Sequence, residues 1–149
     1  MKIFIASDHG GFSKKKQLAD KLEADYEIFD MGPYELNPED DYPLYAKKVA
    51  LAVKENPGSM GVLLCRSGEG MAIAANKIDG IRAVAVEDVA RAKETRRDND
   101  SNVLSLSADD LSEKEITEIT SAWLKEPFSE LDRHKRRLEE IAQIEKEAL

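Results

Sequence analysis

The chain has 149 residues, 42% of them hydrophobic and 35% charged, enough for the core of one ordinary domain, and no apolar run approaches the roughly 20 residues that a membrane span needs. Its formal charge of −8 argues against a general nucleic-acid binder, which works by neutralising phosphates with a basic face; an anionic ligand must here be met by a local positive cluster. One cysteine and two histidines, His9 and His134, exclude an internal disulfide and offer no zinc-ligand spacing.

The N-terminal MKIFIASDHGG lacks the long apolar stretch and small-residue cleavage site of a signal peptide and reads as a first strand, so a cytoplasmic protein is expected. From there, KIFIAS (2–7), YEIFDM (26–31), MGVLLC (60–65), RAVAVE (82–87) and NVLSLS (102–107) alternate with segments of helical period. The helices are expected over 12–24, 42–54, 70–77 and 89–97. This alternation predicts α/β architecture, a five-stranded parallel sheet between helical layers, in a single domain over 1–149. Within the second helix, Tyr45, Val49, Ala52 and Val53 fall on one stripe. MGPYELNPEDD (31–41), with two prolines and four acids, reads as a surface loop near the strand ends.

After the fifth strand, a helix over 112–125 puts Ile116, Ile119 and Trp123 on one face, and PFSELD then breaks the chain. A last helix, from about Arg133 to Leu149, carries Leu138, Ile141, Ala142 and Leu149. Its apolar stripe suits packing either on a neighbouring subunit or on its own domain; the length of the stripe, after the sheet is complete, points to the neighbour.

Open parallel sheets bind ligands beyond the carboxyl ends of their strands, which nominates Asp8 and His9, the loop after the second strand, Cys65 to Gly70, Glu87 with Asp88, and Ser107 to Asp110. Asp98 and Asn99 belong to the opposite end, and a catalytic role for them would serve a neighbour's site. In C-R-S-G-E-G-M (65–71), Ser67, Gly68 and Gly70 permit a tight strand-to-helix turn whose N–H groups converge on an anion; the same residues also suit an ordinary β-to-α turn. It is neither a Walker loop nor a dinucleotide fingerprint. Cys65 is either a small buried hydrophobe or a thiol whose thiolate the neighbouring N–H groups stabilise. Asp8 serves either as a ligand contact beside His9 or as a helix cap. Arg133 and Arg137, one helical turn apart, suit a phosphate held by two guanidinium groups, and the cluster of cations at a helix start is costly without an anion nearby.

Asp8-His9-Gly10-Gly11-Phe12, Asp41-Tyr42-Pro43, Cys65-x-Ser67-Gly68-x-Gly70-Met71-x-Ile73-Ala74-Ala75-Asn76-Lys77, Gly80-Ile81-Arg82-Ala83, Asn99-Asp100-x-Asn102-Val103-Leu104 and Arg133-His134-x-x-Arg137 together resemble the type B ribose-5-phosphate isomerases and their galactose-6-phosphate isomerase relatives. The resemblance covers nearly the whole chain. It implies a Rossmann-like sandwich, a homodimer or homotetramer with active sites shared between subunits, and interconversion of aldose and ketose phosphates through an enediolate without metal or nucleotide cofactor. Members use as base either a cysteine after the third strand or a glutamate early in the next helix; Cys65 and Met71 place this chain with the cysteine type.

Carried over by position, Cys65 takes the proton beside the carbonyl, while Ser67 and the N–H groups of Arg66, Ser67, Gly68, Glu69 and Gly70 hold the enediolate oxygens. Asp8, His9, Tyr42 and Asn99 contact substrate, and Arg133 and Arg137, from a partner subunit, hold phosphate. Three positions depart from the family pattern. Asp98 stands where a ring-opening histidine is usual, and a carboxyl with an ordinary pKa of about 3.9 is a poor acid at neutral pH. Asp109 replaces a phosphate-binding arginine, which should weaken phosphate binding unless it points away. Arg66 replaces a glycine, and either supplies the missing charge or projects to solvent. Ribose 5-phosphate is the default substrate; a tetrose or hexose phosphate, or a non-catalytic sugar-phosphate-binding role, is the alternative.

Overall fold

The structure, a computed structural model, describes residues 1–148. Five strands, β1 (Lys2–Ser7), β2 (Glu27–Asp30), β3 (Met60–Cys65), β4 (Ala83–Ala85) and β5 (Val103–Ser107), form one parallel sheet in the order β2-β1-β3-β5-β4. The helices are α1 (Phe12–Leu22), α2 (Tyr42–Glu55), α3 (Glu69–Ala75), α4 (Val89–Asn99), α5 (Glu113–Lys125) and α6 (Asp132–Glu147). A short 3₁₀ turn, His9–Gly11, joins β1 to α1. Among the described residues no helix is long and apolar enough to cross a membrane.

Alternation along the central strands sends side chains to two cores. Ile3, Ile5, Val62, Leu64, Leu104 and Leu106 face α1 and α5, where Leu18, Leu22, Ile116, Ile119 and Trp123 meet them. Phe4, Ala6, Leu63, Cys65 and Val103 face α2 and α3. The strands read as nearly continuous apolar runs because a parallel sheet is covered on both sides. The expected three-layer α/β sandwich is therefore the observed one, and the α5 stripe of Ile116, Ile119 and Trp123 is wholly buried.

Local chemistry sets the element ends. Ser112 Oγ accepts the N–H of Glu115 (3.2 Å) and Glu115 Oε2 accepts that of Ser112 (2.7 Å), a reciprocal cap that starts α5. Asp88 accepts the N–H of Arg91 (2.7 Å) and starts α4. The stripe expected on α2 is rotated: Ala46, Val49, Ala50 and Val53 are buried, while Tyr45 and Ala52 are only half-buried. The larger Tyr45 ring lies at the edge of the core, where smaller Ala46 and Ala50 allow α2 to approach the sheet. Of α6, only His134 is buried among the described residues. Ile141 and Ile144 are exposed, and Leu149, which closes the expected stripe, lies outside the described residues.

Lys15 is a buried lysine, 1% exposed, tolerated because its ammonium donates to Asp30 Oδ1 (2.8 Å) and the Pro33 carbonyl (2.6 Å). That pair of bonds folds the start of the 31–41 loop back over the end of β1, where Ser7 N–H also donates to the Gly32 carbonyl (3.1 Å). Gly11 is the tightest approach between the β1 turn and β3: a Cβ there would lie 2.7 Å from Leu64 Cβ and 2.7 Å from the Leu64 carbonyl oxygen. Gly11→Ala is expected to cost about 1–3 kcal/mol of stability, read as a lower urea midpoint; an unchanged midpoint would show that β3 yields without strain.

Candidate active site

The sheet reverses its order of growth between β1 and β3: from β1 the chain builds outward to β2, and from β3 to β5 and β4. At such a switch point the loops diverge and leave a crevice at the carboxyl ends. Ser7 pairs with Leu64, so the next residues, Asp8 and Cys65, come out side by side, and Asp8 N–H donates to the Leu64 carbonyl (3.2 Å). Asp8 is 5% exposed, and its Oδ1 accepts the N–H groups of Gly10 (2.9 Å) and Gly11 (3.3 Å). The capping role open to it from sequence is thus real, and it is filled beside the thiol.

His9 is held by a residue that sequence reasoning did not single out. Asp40 Oδ1, from the loop after β2, accepts both the His9 N–H (3.0 Å) and the hydrogen on Nδ1 (2.7 Å). The Asp40 side chain is 4% exposed, against 34% for His9. The hydrogen bond to Asp40, with the charges of Asp8 and Asp40, raises the His9 pKa against burial and the nearby Arg66. Asp8, His9 and Asp40 each offer a ligand atom within 4.8 Å of the others, and the hydrogen bonds just described account for that proximity.

Cys65 ends β3 and the chain then turns sharply. Gly68 has φ 83, and a Cβ there would lie 3.0 Å from Leu106 C and 3.1 Å from Ser107 N, so glycine is required twice over. Two β5 serines fasten the turn: Ser105 Oγ donates to the Gly68 carbonyl (2.5 Å) and Ser107 Oγ to that of Arg66 (2.6 Å). Serine at alternate positions of an otherwise apolar, buried strand was the available signal. The Gly68 N–H points at Cys65 Sγ (3.1 Å). Even so, burial pushes the thiol pKa up more than the N–H groups of Gly68, Met71 and Ser67 pull it down, and the Asp8 charge adds to the rise. The N–H groups thus favour the thiolate as the turn suggests, but the side chain points into the α2/α3 core, 4% exposed, where removal from water outweighs them.

Arg66 and Asp109 answer each other. Arg66 Nε donates to Asp109 Oδ2 at 2.9 Å, in a pair that is well exposed. Tyr42, 40% exposed, lays its ring against Gly70, where a Cβ would be 2.7 Å from Tyr42 Cζ. Ser67 and Glu69 are exposed on the α3 side of the turn.

The remaining candidates stand elsewhere. A groove of about 700 Å³ along the β4 edge is lined by Ser67 and Glu69 at one end and by Asp98 and Asn99 at the other, with His134 and Arg137 from α6. Asp8, His9, Tyr42 and Cys65 do not line it, nor does Arg133, which is exposed. Asp98 Oδ1 accepts from Arg97 Nε (3.0 Å). His134 is buried, with Nδ1 2.6 Å from Ser129 Oγ. The thiol and the polar groove thus lie apart on one chain, with Ser67 and Glu69 of the turn after Cys65 lining the groove.

The family model for Ribose/Galactose Isomerase matches residues 3–141. The chain belongs to this family. Among its relatives, a Mycoplasma pneumoniae protein described as a probable ribose-5-phosphate isomerase B is 40% identical over 146 residues, covering 97% of this chain and 95% of that one. The Clostridium thermocellum ribose-5-phosphate isomerase B structure superposes with a TM-score of 0.95 at 39% identity, covering 100% of each chain. That of the Mycoplasma genitalium ribose-5-phosphate isomerase B with bound ribulose-5-phosphate gives 0.94 at 38% identity, covering 98% of this chain and 97% of that one.

With no substrate bound, alkylation of Cys65 by iodoacetamide is expected to inflect above the ordinary thiol range, and in urea to return to it. An inflection near neutral pH in the folded protein would show that the N–H groups outweigh burial.

Proposed function

We propose that this chain isomerises ribose 5-phosphate and ribulose 5-phosphate through an enediolate, with Cys65 as the carbon base. The observation that carries the reading is Cys65 Sγ at the end of a central strand, beside Asp8 at the switch point and facing the Gly68 N–H. In the open-chain aldose, the thiolate takes the proton from C2. The electron pair of that bond forms C1=C2, and the carbonyl electrons move onto O1, where Ser67 and the turn's N–H groups are positioned to hold them. Return of the proton to C1, with the O2 proton moving to O1, gives the ketose. A raised thiol pKa makes the thiolate scarcer but more basic, which suits abstraction from carbon. No cofactor enters this scheme.

We assign the second half of each site to another copy of the chain, in a homo-oligomer. The separation of Asp98, Asn99 and Arg137 from the thiol crevice supports it. So do the exposed Ile141 and Ile144 on a helix that buries little against its own chain. Arg133 and Arg137 then hold the phosphate, Asn99 and Tyr42 the sugar hydroxyls, and Asp98 faces the sugar from the partner. The arrangement as a whole, residues 1–149, is read as one isomerase unit, working in the cytoplasm.

Cys65→Ala is expected to lower turnover of ribose 5-phosphate by at least about 100-fold while the protein still binds it, measured by ribulose 5-phosphate formation and by calorimetry. Wild-type binding without turnover of pentose, tetrose or hexose phosphates would instead favour a sugar-phosphate-binding role. A second check is the assembly: Ile141→Glu with Ile144→Glu should reduce the mass seen by light scattering to that of one chain and abolish activity. Activity in a monomer would remove the shared site.

A further inference from the structure

Resting on the isomerase reading, we propose that His9, oriented by Asp40, is the catalytic acid that opens the sugar ring. Ribose 5-phosphate in water is a cyclic hemiacetal, with its ring oxygen bonded to C1, and the aldehyde that Cys65 acts on does not exist until that bond breaks. Some group must protonate the ring oxygen beside the thiol crevice. Asp98 is ill suited, since a carboxylate engaged by the Arg97 guanidinium at 3.0 Å is an acceptor.

His9 meets the requirement by geometry. Asp40 Oδ1 binds Nδ1 at 2.7 Å and the main-chain N–H at 3.0 Å, so ring and backbone are fixed by one carboxylate oxygen, and Nε2 is the nitrogen left to work. Asp40 is itself held out of water, 4% exposed, and among the described residues its other oxygen, Oδ2, is buried without a hydrogen-bond partner. Burying a carboxylate is costly, and the two hydrogen bonds from His9 offset that cost. Tyr45, on the other side, has its pKa raised by burial first and then by the Asp40 charge, so Asp40 acts as an anion on both neighbours. The imidazole is one-third exposed and follows Asp8, which lies against β3 beside Cys65. The imidazole thus lies one residue from Asp8, partly open to an incoming sugar.

The step balances without a co-reactant. The C1–O4 bond breaks, its electron pair goes to O4, and O4 takes the proton from Nε2 of the imidazolium. The O1–H bond supplies the electrons of the new C1=O1, its proton passing to water at the open mouth, from which neutral His9 is reprotonated. Two charged groups besides Asp40 act on His9: Asp8 from the end of β1, which favours the imidazolium, and Arg66 from the β3 turn, which opposes it and is itself paired with Asp109 at 2.9 Å. The pairing with Asp109 offsets part of the Arg66 charge.

The test separates ring opening from enolisation. Turnover of ribose 5-phosphate reports both, whereas exchange of the C1 hydrogen of ribulose 5-phosphate, an open-chain ketose, into deuterium oxide reports enolisation alone. His9→Gln is expected to lower saturated turnover of ribose 5-phosphate by about 100-fold and the saturated exchange by less than threefold. In the wild type, the ratio of turnover to exchange should fall as pH rises through the His9 pKa, because the imidazolium is the acid; Asp40→Asn, which keeps the shape and loses the charge, should move that fall to lower pH. Equal losses of turnover and exchange in His9→Gln, or no loss in either, would overturn the assignment of His9 while leaving the isomerase intact. A rise in KM alone would make His9 a binding residue and equally overturn it. Absence of both activities in the wild type would overturn the isomerase reading and this proposal with it.

Discussion

The pairing of β1 with β3, residue Ser7 against Leu64, is the constraint from which the site follows. Both strands run the same way, so both end at the same edge, and the residues that emerge there, Asp8 and Cys65, are neighbours although more than fifty positions apart in the chain. Because connections leave these two strands in opposite directions, the loops diverge at their carboxyl ends, the place where open parallel sheets bind ligands. Gly11 and Gly68 let the two turns approach β3 and β5 at distances that a side chain would prevent. A site of this kind is rigid at its base and open at its mouth.

What surrounds the crevice is a set of internal charge arrangements. Lys15, buried, fastens the start of the 31–41 loop through Asp30 and the Pro33 carbonyl, and Asp40 fastens its end through His9. The loop is therefore tied at both ends although most of its residues are exposed. On the other side Arg66 and Asp109 pair across the ends of β3 and β5. That pair is well exposed and adds little to stability; its effect is on the local field, where it leaves the balance near His9 negative. On the proposed reading, the positive charge for a sugar phosphate comes from groups such as the arginines of α6, a helix in which only His134 is buried among the described residues.

The thiol shows how a local motif and its setting can pull in opposite directions. The N–H groups after Cys65 favour the thiolate, as a glycine-rich turn should, but the side chain of a strand residue alternates inward, and at position 65 inward means the core under α2 and α3. Burial wins in the free protein.

Much of the fold was legible because its signals are local: apolar runs alternating with helical periods, the glycines after Cys65, and the α5 stripe ending in Trp123 are each set by steric and burial rules acting within a few residues. The family was legible for the same reason, in Asp8-His9-Gly10-Gly11 and in the segment from Cys65 to Ala83. The rotation of α2, the pairing of His9 with Asp40 and of Arg66 with Asp109, the serines that hold the Cys65 turn, and the upward shift of the thiol were decided only by the tertiary structure. Each depends on which side chains from different elements meet and how much water is left between them. Sequence alone determined the alternation of strand and helix and the chemical types at the strand ends; only the folded chain, by fixing distances and desolvation, decided which of those groups act on one another.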